Sequence, residues 1–260
     1  MFRRLKEKWN ERLIKRSDIS NMQWQNGFQI LPLLKRLNED ERARLKNLAI
    51  LFLHYKSLEA VDLELTTEMK LIIALQACLP ILNLGLNWFK GWRSVIIYPG
   101  SFAREDIEID ECGVVHQSRV YLSGESWQQG VIVLSWNDAL PKSENDGYNV
   151  VIHEFAHKLD MLNGSANGLP PLHSDMLVQH WAEVFNKAYA DFERRLQDIP
   201  INPYAQTSPA EFFAVFSEYF FEKPEIIAEI YPDVYQLLVK FYRQNPLIMA
   251  QKHGPNPYII

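Results

Sequence analysis

Cysteine is scarce in this chain. Its 260 residues hold two, Cys78 and Cys112, with no CxxC spacing and no disulfide framework. That excludes a disulfide-stapled scaffold and predicts two free, buried thiols in a reducing compartment. A long apolar run is missing as well. The longest stretch, Leu71 to Leu86, is broken by Gln76, Pro80 and Asn83 and is too short to cross a bilayer. The N-terminus is basic but lacks the apolar centre of a signal peptide. A soluble cytoplasmic protein without a membrane span is the expectation. Excess positive charge is also absent. The net charge of −5 gives no whole-chain pull toward nucleic acid. It is unevenly spread, however: residues 1–16 hold seven Lys/Arg and two Glu, so the remainder carries −10.

What is present reads as helix, sheet, helix. Residues 1–16 form an amphipathic pattern, with Phe2, Leu5, Trp9 and Leu13 on one stripe. The helix is expected to pack on the domain, with a membrane-surface or partner-binding role as the alternative. "NEDERARLKNLAILFLHYKS" from Asn38 opens with cap and acid-rich signals and then turns apolar, as a helix does. A second helix is expected over Glu68–Leu79, ending near Pro80. "RSVIIYPGSF" (Arg93–Phe102) and "GVIVLSW" (Gly130–Trp136) are rich in β-branched and aromatic residues and bounded by Gly and Pro, so they read as strands. "GVVHQSRVYLSGES" between them supplies one or two more. After Asn149 the pattern is helical again, with turns at "NGSANGLPP" and "QDIPINP". The class is α+β with a small mixed sheet. A helical N-terminal region, 1–90, is expected to pack on a catalytic part, 91–260, as one compact unit.

The chemistry concentrates in "VVIHEFAHKL", Val150 to Leu159. His153 and His157 stand four apart, so on a helix both imidazoles reach one ion about 2 Å from each ring nitrogen. Glu154 is offset by one residue and leans beside the ion, where a base for an activated water belongs. The bland alternative is a core helix with two ordinary histidines. Catalytic zinc needs a third protein ligand and an open fourth position. The third histidine of HExxHxxGxxH would fall at position 163, which is Asn163. Two glutamates seven apart on a downstream helical pattern, Glu211 and Glu218, are the next candidates. Each has an ordinary reading. "SPAE" makes Ser208 an N-cap, Pro209 the first helical residue and Glu211 the far member of a capping box. Glu218 reads as a solvated or salt-bridged helix position. Asp160 shares the face of the two histidines and is either hydrogen-bonded to an imidazole or a surface acid at the helix end. His54, His116, His173, His180 and His253 lack ligand spacing and read as ordinary surface or core histidines.

"HEFAHKLD" followed by "YAQTSPAEFF" resembles the protease domain of anthrax lethal factor, in which a tyrosine is followed after six residues by a glutamate. Tyr204 and Glu211 have that spacing. The resemblance implies that Glu211 is the third zinc ligand and that Tyr204 serves the reacting carbonyl. With the helical first third, "IIYPGSF" and "GVIVLSW", the whole chain is similar to the bacterial Mlc titration factor A family. That resemblance implies a zincin-like fold and a cytosolic metallopeptidase of the aminopeptidase type with one zinc ion. Its implied partners are a peptide substrate and the glucose repressor Mlc, whose binding relieves repression of glucose-uptake genes. The "GVIVLSW" strand is expected to offer a sheet edge to an extended peptide.

Two other functions compete. One is a non-catalytic protein that titrates a repressor and holds a structural zinc. Glu154 argues against it, since a structural site has no use for that carboxylate. Direct nucleic-acid binding rests on the basic N-terminal helix alone and is not expected.

Overall fold

A computed structural model describes residues 2–109, 115–122, 124–126, 130–141, 146–196 and 198–248. Cys112 and His253 lie outside the described residues, as do the side chains of Phe2 and His116. Helix α1 (Phe2–Lys15) and α2 (Asn21–Ile30) lead to α3 (Glu39–Tyr55). Asn38 caps α3 in a full capping box with Glu41, so the local signal acts as read. Strand β1 (Ser57–Ala60) follows, then α4 (Thr67–Cys78), capped by Thr66 and buried over most of its length. Cys78 is a buried free thiol, and burial pushes its pKa up.

The sheet comes next. It comprises β2 (Ser94–Tyr98), a separate hairpin of β3 (Phe102–Ile109) and β4 (Val115–Leu122), then β5 (Gly124–Ser126) and β6 (Ile132–Ser135). The main sheet has the order β1-β2-β6-β5. β1, β2 and β6 run parallel and β5 runs antiparallel. The architecture is α+β with a small mixed sheet. One expectation is corrected: the "GVIVLSW" strand is not an edge. β6 is interior, every residue of it buried, because β5 pairs along its outer side.

Short α5 (Trp136–Ala139) leads to α6 (Val150–Asp160), the helix of the histidine motif. Then come α7 (Val178–Arg194), α8 (Pro209–Glu222), α9 (Pro224–Ile230) and α10 (Pro232–Tyr242). All eleven residues of α6 are buried, packed among β5, β6, α4 and α8. Phe155 seals its back in a cluster with Phe52, Phe89 and Trp92, with ring centroids 5.0–5.7 Å away. Two buried cations flank that cluster. Lys56 donates to the carbonyls of Phe89 and Trp92 and lies 3.7 Å from the Trp92 ring centre. Lys158 donates to Gly130 O at 3.1 Å. Burial lowers the pKa of each to about 8. The hydrophobic core is continuous from Trp24 in α2 to Tyr242 in α10. Among the described residues no helix is long and apolar enough to cross a membrane.

Candidate metal centre

Asn149 starts the site. Its side chain accepts from Ile152 N–H at 2.9 Å and so caps α6. One turn later His153 and His157 project from the same face, ring centroids 4.8 Å apart. α8 approaches across them. Its Ser208 accepts from Glu211 N–H at 3.2 Å, so the cap is formed. The carboxylate of Glu211 faces the imidazoles: its Oε2 lies 3.0 Å from His153 Nε2 and 3.2 Å from His157 Nε2. The two Nε2 atoms are 3.1 Å apart. Capping and histidine contact are therefore compatible, one made by the backbone of Glu211 and the other by its side chain.

These three atoms are a fit for a metal ion. Donors on a tetrahedral ion with bonds of about 2.0–2.1 Å sit about 3.3 Å apart, and the separations here are 3.0–3.2 Å. Among the described residues, His153, His157 and Glu211 are the group able to hold an ion in this way. Three acceptor-capable atoms converging on one point need a proton or a metal ion between them. The proton affinities say the same. Burial alone lowers the pKa of His153, but Glu211 and Glu218 overcome it and hold it well above the ordinary value. Burial likewise works to raise the pKa of Glu211, yet the two histidines keep it far below the usual carboxylate range. A proton shared among these atoms or a metal ion in its place satisfies the cradle.

Glu154 lies beside the cradle, 4% exposed, with Oε2 lacking a hydrogen-bond partner. Burial, aided by Glu211, Glu218 and Glu125 against the pull of His153, raises its pKa to about 8. Position 124 in β5 must be glycine for this carboxylate to fit. A Cβ there would come within 2.7 Å of Glu154 Cγ. Tyr204 stands on a 3-10 turn (Pro203–Gln206), 47% exposed, its ring 6.0 Å from that of His153.

Two acids lie behind the cradle. Glu218 takes the salt-bridged of its two sequence readings, not the solvated one. It is 2% exposed, with Oε1 2.8 Å from His153 Nδ1 and Oε2 accepting from Asn149 N–H at 2.5 Å. A carboxylate can only accept, so Nδ1 carries the proton and Nε2 is turned to the cradle. Asp160 is not a surface acid either. It is fully buried, and Oδ2 accepts from Asn167 N–H at 2.8 Å and Gly168 N–H at 2.7 Å. Its Oδ1 and the Nδ1 of His157 are both buried without a partner, so no imidazole bond is made. The Asp160 loop reaches α8. Gly168 has φ +78°, its carbonyl accepts from the Trp181 indole at 3.0 Å, and an added Cβ would collide with the carbonyl of Pro209, two residues before Glu211. His54 and His180 are exposed, and His173 donates to Phe241 O at 2.8 Å, so these three stay outside the cradle.

Sequence reasoning missed Asn149, Gly124 and Gly168. The first has a local signal, a cap residue ahead of the motif helix. Its side chain also donates to Gln76 and Glu222, each at 2.8 Å, which no local pattern announces. The glycines matter only through partners far along the chain.

A profile described as glucose-regulated metallo-peptidase M90 matches residues 5–243. Proteins named Mlc titration factor A are similar along the chain. The one from Klebsiella pneumoniae is 40% identical over 256 residues, 95% of each chain, and that from Salmonella agona 44% over 232 residues, 86% of each. One from Escherichia coli is 40% identical over 249 residues, 92% of each. With a family profile spanning most of its length and a cation cradle on the motif helix, this chain belongs to the M90 family of glucose-regulated metallopeptidases.

Proposed function

We propose that the protein is a cytoplasmic zinc metallopeptidase of the aminopeptidase type that also binds the repressor Mlc. His153, His157 and Glu211 are the ligands in this reading, Glu154 the base and Tyr204 the carbonyl partner. The observation that carries it is the convergence of three donor atoms beside a buried carboxylate whose Oε2 has no hydrogen-bond partner. Zinc held there supplies Lewis acidity at neutral pH. Glu154 takes the proton of the attacking water and returns it to the leaving amine. A pKa raised toward neutrality suits both halves of that task. The Tyr204 hydroxyl donates to the developing oxyanion, and its side chain is accessible to substrate beside the cradle. Glu218 keeps His153 in one tautomer and orientation. An extended peptide adds to the outer edge of β5, next to Gly124 and hence to Glu154.

Residues 1–90 act as a buttress for 91–260 in this reading. Gln76 holds Asn149, and Arg36 donates to Phe221 O at 2.7 Å and Glu222 O at 3.1 Å, at the far end of α8. The name of the similar proteins supports Mlc as a partner.

The test is metal analysis of the purified protein with a peptide panel that pairs free and acetylated amino termini. One zinc per chain, cleavage of free-amine peptides and inertness of their acetylated twins are expected. Equal cleavage of both would end the aminopeptidase assignment, and absence of bound metal would end the zinc assignment.

A further inference from the structure

Helix α1 makes its described contacts to the body beside the stripe its sequence offers, at Lys6, Asn10 and Ile14, spaced by four. Lys6 Nζ donates to Asn87 Oδ1 at 3.3 Å, the Tyr55 hydroxyl donates to Asn10 Oδ1 at 2.7 Å, and Ile14 packs on the core. Leu5 and Trp9, each one residue behind an anchor, are turned outward, 58% and 51% exposed. Arg12 and Arg16 follow at spacings of three and four, so Leu5, Trp9, Arg12 and Arg16 form one continuous face. Arg4, Lys8 and Lys15 are exposed on one flank of it together with Glu11, and Glu7 lies on the far side of the helix.

We propose that this face docks on an anionic lipid surface and holds the protein reversibly at the membrane. A helix that is apolar on one side, rich in Lys/Arg and bearing Trp and Leu is built to lie in a bilayer interface. Charge complementarity selects anionic lipid: residues 1–16 carry +5 and the rest of the chain −10, so the body is repelled by the surface that attracts α1. The shape argues against a protein partner. The cavity of ≈ 690 Å³ beside α1 is lined by Lys6, Asn10, Tyr55 and Asn87 and so lies on the anchored side of the helix, away from Leu5 and Trp9. A stable protein interface needs about 20–30 residues a side, whereas a bilayer needs no complementary relief.

Sedimentation of the full chain with vesicles tests this. The probes are phosphatidylcholine alone and phosphatidylcholine with an equal share of phosphatidylglycerol. The protein should sediment with the anionic vesicles only, less so with rising salt. Arg12→Gln and Arg16→Gln should each weaken binding about fivefold. Leu5→Ser with Trp9→Ser should abolish it, while circular dichroism and metal content stay unchanged, since both side chains are half exposed. No sedimentation with anionic vesicles, equal sedimentation with both kinds, or undiminished binding by the arginine variants would each overturn the proposal. So would capture of α1 by a protein partner in place of lipid.

Discussion

The first and third turns of α8 carry the same residue type and meet the same imidazole from opposite sides. Glu211 reaches Nε2 of His153 and is shared with His157, its side chain 19% exposed. Glu218 reaches Nδ1, its side chain 3% exposed, with its second oxygen tied to the backbone of Asn149. Burial works to raise the proton affinity of both. It loses at Glu211, where two histidines hold the anion, and wins at Glu218, which His153 and one backbone N–H do not fully compensate. The difference teaches how one helix can serve a cation twice. Its open end contributes a charge to the cradle, and its sealed turns fix the orientation of the ring that faces the cradle.

The sharpest way to break the comparison is to neutralise each acid in turn. Glu211→Gln should lose nearly all peptidase activity and bind zinc much more weakly, and its metal-free melting temperature should fall at neutral pH, where the two histidines hold the ionised carboxylate. The Ser208 cap uses the backbone N–H of residue 211 and survives the substitution. Glu218→Gln should weaken zinc by roughly 10–100-fold, and saturating zinc should restore most of the activity. Calorimetric zinc titration beside peptide hydrolysis separates the two. Equal effects from both variants would erase the distinction between cradle and support.

The metal-free protein should also separate them by pH. Glu211 has a folded pKa below its unfolded value, so its stabilisation is present above about pH 4.3 and is lost as pH falls through the folded value. For Glu218 the folded value is raised, so its contribution is present below about pH 4.3 and is lost as pH rises through the folded value. Melting temperatures in chelator should therefore fall less steeply on acidification for Glu211→Gln than for the parent. For Glu218→Gln they should climb more steeply toward neutral pH. Identical pH profiles for the two variants would contradict the assignment of opposite shifts.

A smaller effect is expected at the junction behind the cradle. Gly168→Ala adds a Cβ against the Pro209 carbonyl at a positive φ. It should displace the first turn of α8 and reduce zinc affinity several-fold in a protein that remains folded. Unchanged affinity in isothermal titration would detach that loop from the site.

Much of this was legible in the sequence because its signals are local. The two histidines face one way by helical spacing alone, and Asn38 and Ser208 cap as their patterns say. Glu211 carried two readings: the Ser208 half of the capping box forms through the backbone N–H of Glu211, while its carboxylate turns to the histidines instead of back to the cap. What could not be read depends on distant partners. Glu218 is sealed only because α6 and its Asn149 lie against it. Asp160 is buried because residues 167–168 fold back on it. β1, "SLEA", has no strand-like pattern and pairs only because β2 offers an edge. β5 is three residues long, too short for any periodicity, yet it turns the strand inside it into an interior one. Helix α1 packs on the body as expected, but Leu5 and Trp9 of its apolar stripe face outward and polar contacts from Lys6 and Asn10 help to hold it.

Glu154→Gln gives the most direct test of metal-assisted hydrolysis at this centre. The substitution keeps the shape beside Gly124 and leaves His153, His157 and Glu211 intact. Zinc content by atomic absorption should stay at that of the parent, while kcat for a good peptide falls by about 10²–10⁴. A zinc-loaded Glu154→Gln protein that cleaves peptides at the parent rate would contradict the assignment of Glu154 as the base, and with it the mechanism.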